Sequence, residues 1–171
     1  AVEDGDIQYT IGVVVYNQDS PEMNMFMNYY REYIQQGFPV KFYFSGNINS
    51  AEDECDFIRA MKQQGVSGII SFYGQAIRKI VETCDEEEMY YVLGSGNISD
   101  EDYDKIKNSQ YFLGNVGPDA KADYEAGYNM AEYFADADTS KYIVLTGGSS
   151  AGNYMHLQRS VFWKLWLRRR G

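Results

Sequence analysis

The chain is poor in the residue types that would announce most chemistries. It has two cysteines, three prolines and one histidine, His156, in 171 residues. Two cysteines close at most one bridge, so a disulfide-stapled scaffold is excluded. Cys55 and Cys84 fall on apolar helix faces and read as ordinary buried thiols. A single imidazole leaves no Ser/His/acid set, no HExxH and no Cys/His metal spacing, so no catalytic residue, metal or cofactor is expected. No apolar run approaches the roughly 20 residues of a membrane span. Positive charge is also scarce, with 15 Lys and Arg against 25 Asp and Glu and a formal charge of −10. That deficit argues against nucleic acid and against an anionic membrane surface as partners. The first residues, Ala1-Val-Glu-Asp-Gly-Asp, carry neither the basic nor the apolar region of a secretory leader and no Met, as expected of a mature or trimmed chain.

What the sequence does have is core. Hydrophobic residues make up 44% of it, enough to exclude disorder. Short, nearly continuous apolar runs alternate with helical patterns. Strands are predicted at 9–16, 40–44, 68–72, 90–93, 111–115 and 142–146. Ser20-Pro21 reads as a cap followed by Pro at the first helical position. Met23, Phe26, Met27, Tyr30, Tyr33 and Ile34 mark one face of that helix, and Gly37 ends it. Ser50 with Asp53 predicts a capping box for a second helix, faced by Phe57, Ile58 and Met61 and ended by Gly65. A third helix is expected over 75–88, a fourth from Asp119 through Phe134, and a fifth from near Ala151. Repeated strand–helix–strand units imply an α/β fold, a doubly wound parallel sheet with helices on both faces.

Ligands of such folds bind beyond the carboxyl ends of the strands. The loops there are 17–24, 71–75, 94–99, 115–119 and 147–154. They combine amides, hydroxyls and aromatic rings: Tyr16, Asn17 and Gln18 after the first strand, Ser71 and Phe72 after the third, Ser95 after the fourth, and Asn153 and His156 after the sixth. Amides and hydroxyls satisfy a polyhydroxylated ligand while a ring covers its C–H face. Gly147–Gly152 lies where an anion-binding loop would, but it lacks both GxxxxGK[ST] and GxGxxG, and reads as a tight turn. Asp85–Glu88 ends a helix away from the strand tips and reads as a solvated face.

Four segments carry a family resemblance: Ile11-Gly-Val-Val-Val-Tyr-Asn-Gln-Asp-Ser-Pro-Glu-Met, Gln63-Gln-Gly-Val-Ser-Gly-Ile-Ile-Ser, Gly114-Asn-Val-Gly-Pro-Asp, and Thr146-Gly-Gly-Ser-Ser-Ala-Gly-Asn-Tyr-Met-His-Leu-Gln-Arg. In this order they resemble the front portion of type I periplasmic substrate-binding proteins, the sugar-binding proteins of ABC transporters, whose fold the LacI-type regulators share. The resemblance runs from about residue 9 to 159. It implies a first ligand-binding lobe over 9–115 and the beginning of a second lobe over 116–171, with the ligand closed between two lobes, and it adds Met23 in the first ligand loop and Asn115 near the first crossing to the ligand-binding residues. It implies a small polar ligand, a carbohydrate above others, an ABC permease as partner of the full-length protein, and an extracytoplasmic site of action. It also implies that the chain is not an enzyme. Two departures stand out. Ribose-type binders carry an Asp-Arg pair where this chain has Gly94-Ser95, and an arginine where it has Leu157. The charge-assisted grip on sugar hydroxyls is therefore missing at both places. A ligand-sensing domain of a transcriptional regulator or histidine kinase is the alternative, and a flavodoxin-like enzyme a weaker one.

Residues 160–171 break the pattern. They hold both tryptophans, Trp163 and Trp166, and four basic residues with no acid, leaving 11 basic against 25 acidic groups elsewhere. A truncation or shifted reading frame is expected there, a natural basic amphipathic helix being the alternative. An incomplete second lobe leaves apolar faces and strand edges open, so the chain is expected to pair with a second copy through exposed or exchanged segments. Light scattering checks this: a dimer or larger species is expected, and a monodisperse monomer counts against it.

Overall fold

Val13, Val14 and Val15 are consecutive and at most 1% exposed. Side chains on a strand alternate between faces, so such a run needs cover on both sides. A computed structural model, which describes residues 7–117 and 120–135, shows how that cover is supplied. Strands β1 (Tyr9–Val14), β2 (Val40–Phe44), β3 (Gly68–Ser71), β4 (Tyr90–Leu93) and β5 (Phe112–Asn115) form one sheet in the order β2-β1-β3-β4-β5. Every pairing is parallel. Helices α1 (Pro21–Tyr29), α2 (Gln35–Gly37), α3 (Ala51–Gln63), α4 (Ile77–Glu86), α5 (Asp100–Ile106) and α6 (Ala120–Ala135) connect or follow the strands.

The core is split by the sheet. On one face Val13, Val15, Val40 and Phe42 pack with Met23 and Met27 of α1. On the other, Val14, Ile69, Tyr91 and Leu93 pack with Cys55, Ile58 and Met61 of α3 and Ile80, Val81 and Cys84 of α4. Both cysteines are free and buried. The first face is less fully covered over β3, β4 and β5: Ile70 and Val92 are only half-buried and Leu113, at a register shift in β5, is 65% exposed.

The predicted caps are formed. Ser20 accepts from the Met23 N–H, with Pro21 at the first position of α1. Ser50 accepts from the Asp53 N–H at 3.1 Å while the Asp53 carboxylate accepts from the Ser50 N–H at 3.0 Å. Three expectations needed correction. The helix after β1 contains a π-helical turn, Tyr30–Ile34. Tyr30 and Ile34 still pack against the core, but the wider i→i+5 turn does not keep Tyr33 on that face. Tyr33, expected on the apolar face, is 67% exposed. Helix α4 starts two residues later than expected because Ala76 takes a left-handed conformation, φ +52°. Helix α5, capped by Ser99, was not anticipated, because its seven residues bury only Ile106. The strand expected at 142–146 and the helix near Ala151 lie outside the described residues.

Replacing Ser50 with Ala removes one half of the capping box. It should cost about 1 kcal/mol and lower Tm by about 2–6 °C, read by thermal denaturation.

Candidate functional site

Strand order reverses between β1 and β3: the chain steps from β1 outward to β2, then crosses back to β3 on the other side. A crevice opens at the carboxyl ends of strands at such a point. The β1 side is Tyr16–Asp19, all exposed. This loop is braced rather than loose. The Gln18 N–H donates to Asn47 Oδ1 at 2.8 Å, and the Asp19 N–H to Asn17 Oδ1 at 3.1 Å. Ser45, buried at the end of β2, accepts from the Val15 N–H at 3.0 Å. The Tyr16 hydroxyl donates to Glu22 at 3.5 Å, and partial burial, then that carboxylate, push its pKa up. It therefore stays a neutral donor at physiological pH.

The β3 side is Phe72–Ala76. The Phe72 N–H donates to the Val14 carbonyl at 2.9 Å, which holds the two sides together past the strand ends. The half-buried Phe72 ring lies 5.5 Å from that of Phe26, which is exposed at the rim. Tyr16, Phe26 and Phe72 thus give this end of the sheet its aromatic surface. Farther along, Ser95 is exposed on the loop after β4. Asn115 is exposed, and its Nδ2 donates to the Gly96 carbonyl at 3.0 Å. The segment after β5 is sewn to the same loop: Gly96 N–H donates to Val116 O at 3.0 Å and Val116 N–H to Leu93 O at 2.9 Å. Gly117 lies so close that a Cβ there would stand 2.3 Å from the Gly96 carbonyl oxygen. Asn97 donates to Asp123, which is buried near the start of α6.

Of the residues singled out from the sequence, Tyr16, Asn17, Gln18, Phe72, Ser95 and Asn115 reach the surface at this end. Met23 and Ser71 do not. Met23 belongs to the core under α1. Ser71 is 0% exposed because it shares the strand face of Ile69, which α3 and α4 cover. Its hydroxyl accepts from the Tyr73 N–H at 3.1 Å, so it shapes the loop from inside. Asn153 and His156 lie outside the described residues.

Beneath the β3 loop is a buried polar cluster. Glu54 of α3 is 0% exposed, and its Oε1 accepts from the Tyr91 hydroxyl at 2.9 Å. The Ser71 hydroxyl and the Gly74 N–H also face this carboxyl and favour its charged form, but burial outweighs them and raises its pKa. Tyr91 is raised well above its ordinary value by burial first, then by Glu54. Two residues that matter here were not singled out from the sequence. Glu54 falls on the stripe of Ile58 and Met61, and that spacing was the available signal. Phe26 was assigned to the core.

Comparison with protein-family models gives no match, and no curated protein matches. Among solved structures, the chain is similar to a galactofuranose binding protein (14% identity, TM-score 0.65, covering 94% of this chain and 52% of that one). It is similar to the periplasmic binding protein of the arabinose ABC transporter from Shewanella sp. ANA-3, solved with L-arabinofuranose (17%, TM-score 0.62, 94% and 51%). It is equally similar to the transcription regulator CcpA of Lactococcus lactis (17%, TM-score 0.66, 95% and 54%). The fold is that of type I periplasmic binding proteins and LacI-like regulators, and the chain spans about half the length of these structures.

Gly74 has φ +59°, and a Cβ there would meet Leu93 Cδ1 at 2.4 Å. Gly74→Ala should destabilise the domain by about 1–2 kcal/mol, from the left-handed backbone with added crowding of Leu93. Denaturant titration measures it as a fall in midpoint with unchanged slope.

Proposed function

We propose that this chain forms one wall of a carbohydrate-binding cleft in an extracytoplasmic solute-binding protein. One observation carries the reading: exposed amides, hydroxyls and aromatic rings converge at the carboxyl ends of a parallel sheet, beside the β1/β3 strand-order reversal. The fold supports it, since several proteins that share it were solved with furanoses, glucose or myo-inositol bound. Tyr16 and Asn17 present a neutral hydroxyl and an amide, while Phe72 and Phe26 present rings. No Lys or Arg lies in residues 16–19, 71–76 or 94–97, and Asp19 is the one carboxylate there, so the grip is by amides, hydroxyls and that carboxylate, with ring stacking. Residues 9–115 act as the first lobe and 116–171 open the second. Closure of a second lobe would supply the opposite wall, and a membrane permease would receive the sugar. The likeness to CcpA favours a second reading, a sugar-sensing domain of a regulator, in which the same wall binds the same ligand class.

The test is a thermal-shift and calorimetric screen with L-arabinose, D-galactose, D-fucose, D-glucose and myo-inositol. It is run on this chain and on a version extended to two lobes. A sugar-dependent rise in Tm is expected. In the binding protein, Tyr16→Ala or Asn17→Ala should weaken affinity by about ten-fold or more, roughly 1.4 kcal/mol, with Tm of the free protein little changed. No shift with any sugar, or a shift only with amino acids or nucleosides, overturns the carbohydrate reading.

A further inference from the structure

A carboxyl group at the centre of a hydrophobic layer is costly unless it does something there. Glu54 lies among Cys55, Ile58, Ile80, Cys84 and Leu93, the cluster beneath β3 and β4. Its Oε1 accepts from the Tyr91 hydroxyl, and among the described residues Oε2 has no hydrogen-bond partner. Above it is the least relaxed backbone at this end of the sheet. Gly74 and Ala76 both have positive φ, and Ala76 does so with a side chain. The loop meets the interior through the Tyr73 ring on the core, Gly74 against Leu93 and the Tyr73 N–H on Ser71 Oγ, and its polar inward face, Ser71 and the Gly74 N–H, is turned to the Glu54 carboxyl. Strained conformations persist only where their surroundings hold them, and Ser71 and Glu54 are the buried polar groups beneath this loop.

We propose that Glu54 is a positioning residue that pins the Phe72–Ala76 loop from beneath, and thereby, on the cleft reading above, holds the β3 wall of the binding site in its ligand-ready shape. It acts through Ser71, Tyr91 and the Gly74 N–H and never touches the ligand. The titratable groups that interact with it are Tyr91 from β4, Tyr73 from the loop and Cys84 from α4. Among the described residues none of these partners is a cation, and burial favours the neutral acid. A group raised in the folded state gives its full contribution below its unfolded pKa and loses it as pH rises through the folded one. The pin therefore holds at low pH and slackens as pH rises.

Hydrogen exchange on the whole chain tests this, with rates corrected for intrinsic exchange at each pH. In Glu54→Leu the Phe72–Ala76 amides should exchange about ten-fold faster or more, while the β1 and α3 core amides keep their protection. Glu54→Gln keeps an acceptor for Tyr91 and no charge at any pH, and should retain wild-type protection. Wild-type loop protection should fall with rising pH and that of Glu54→Gln should not. Unchanged loop exchange in Glu54→Leu overturns the proposal. If Glu54→Leu loses protection everywhere, the pH comparison decides: matching profiles for wild type and Glu54→Gln overturn it, diverging ones support it. The sugar screen separates the two readings. Loop exchange that responds to Glu54 in a chain that binds none of the five sugars supports the pin and sinks the cleft reading. A sugar bound equally by wild type and Glu54→Leu sinks the pin and leaves the cleft reading standing.

Discussion

Everything in this domain is arranged around a strand that must be hidden on both faces. Val13, Val14 and Val15 leave no side of β1 for water, so it lies between β2 and β3 with α1 over one face and α3 and α4 over the other. The position of β1 forces the chain to go out to β2 and return across it to β3. That return creates the strand-order reversal, and the reversal sets the β1 and β3 loops apart at one end of the sheet. The candidate site is thus a by-product of burying three valines.

Polar groups at that end work at two depths. The outer set, Tyr16, Asn17, Gln18, Ser95 and Asn115, is exposed and held by backbone and amide braces such as Asn47 on Gln18. The inner set, Glu54, Tyr91 and Ser71, is out of water and meets the outer one only through the β3 loop. An exposed hydroxyl meets a ligand at little desolvation cost, whereas a buried carboxyl sets the shape of what lies above it. Burial raises the pKa of Glu54 and of Tyr91 in the inner set, while the five outer side chains carry no charge.

Much of this could be read from the residues before any coordinates. The strands at 40–44 and 90–93, the capping box at Ser50 and Asp53, and the parallel α/β architecture follow from local chemistry, because apolar runs and caps act over a few residues. The failures share a cause: each turned on something one residue cannot show. Tyr33 points outward because it lies within a π-helical turn that changes the period. Ser71 points inward because strand parity is counted from Ile69 and Val14, not from the loop that follows. Helix α5 has one buried side chain, too little for a periodic pattern. Glu54 sits in the first turn of a helix, where acids are ordinary; only the packing of α3 against the sheet makes it a core residue.

The Glu54–Tyr91 pair also bears on how the chain comes to be folded during synthesis. The two residues are 37 positions apart, and α3 is made before either β3 or β4. Until Tyr91 leaves the ribosome, docking α3 onto β1 would bury a carboxyl with its hydrogen-bonding groups unmet. The second helical layer is therefore complete only when β4 is in place to supply the Tyr91 hydroxyl.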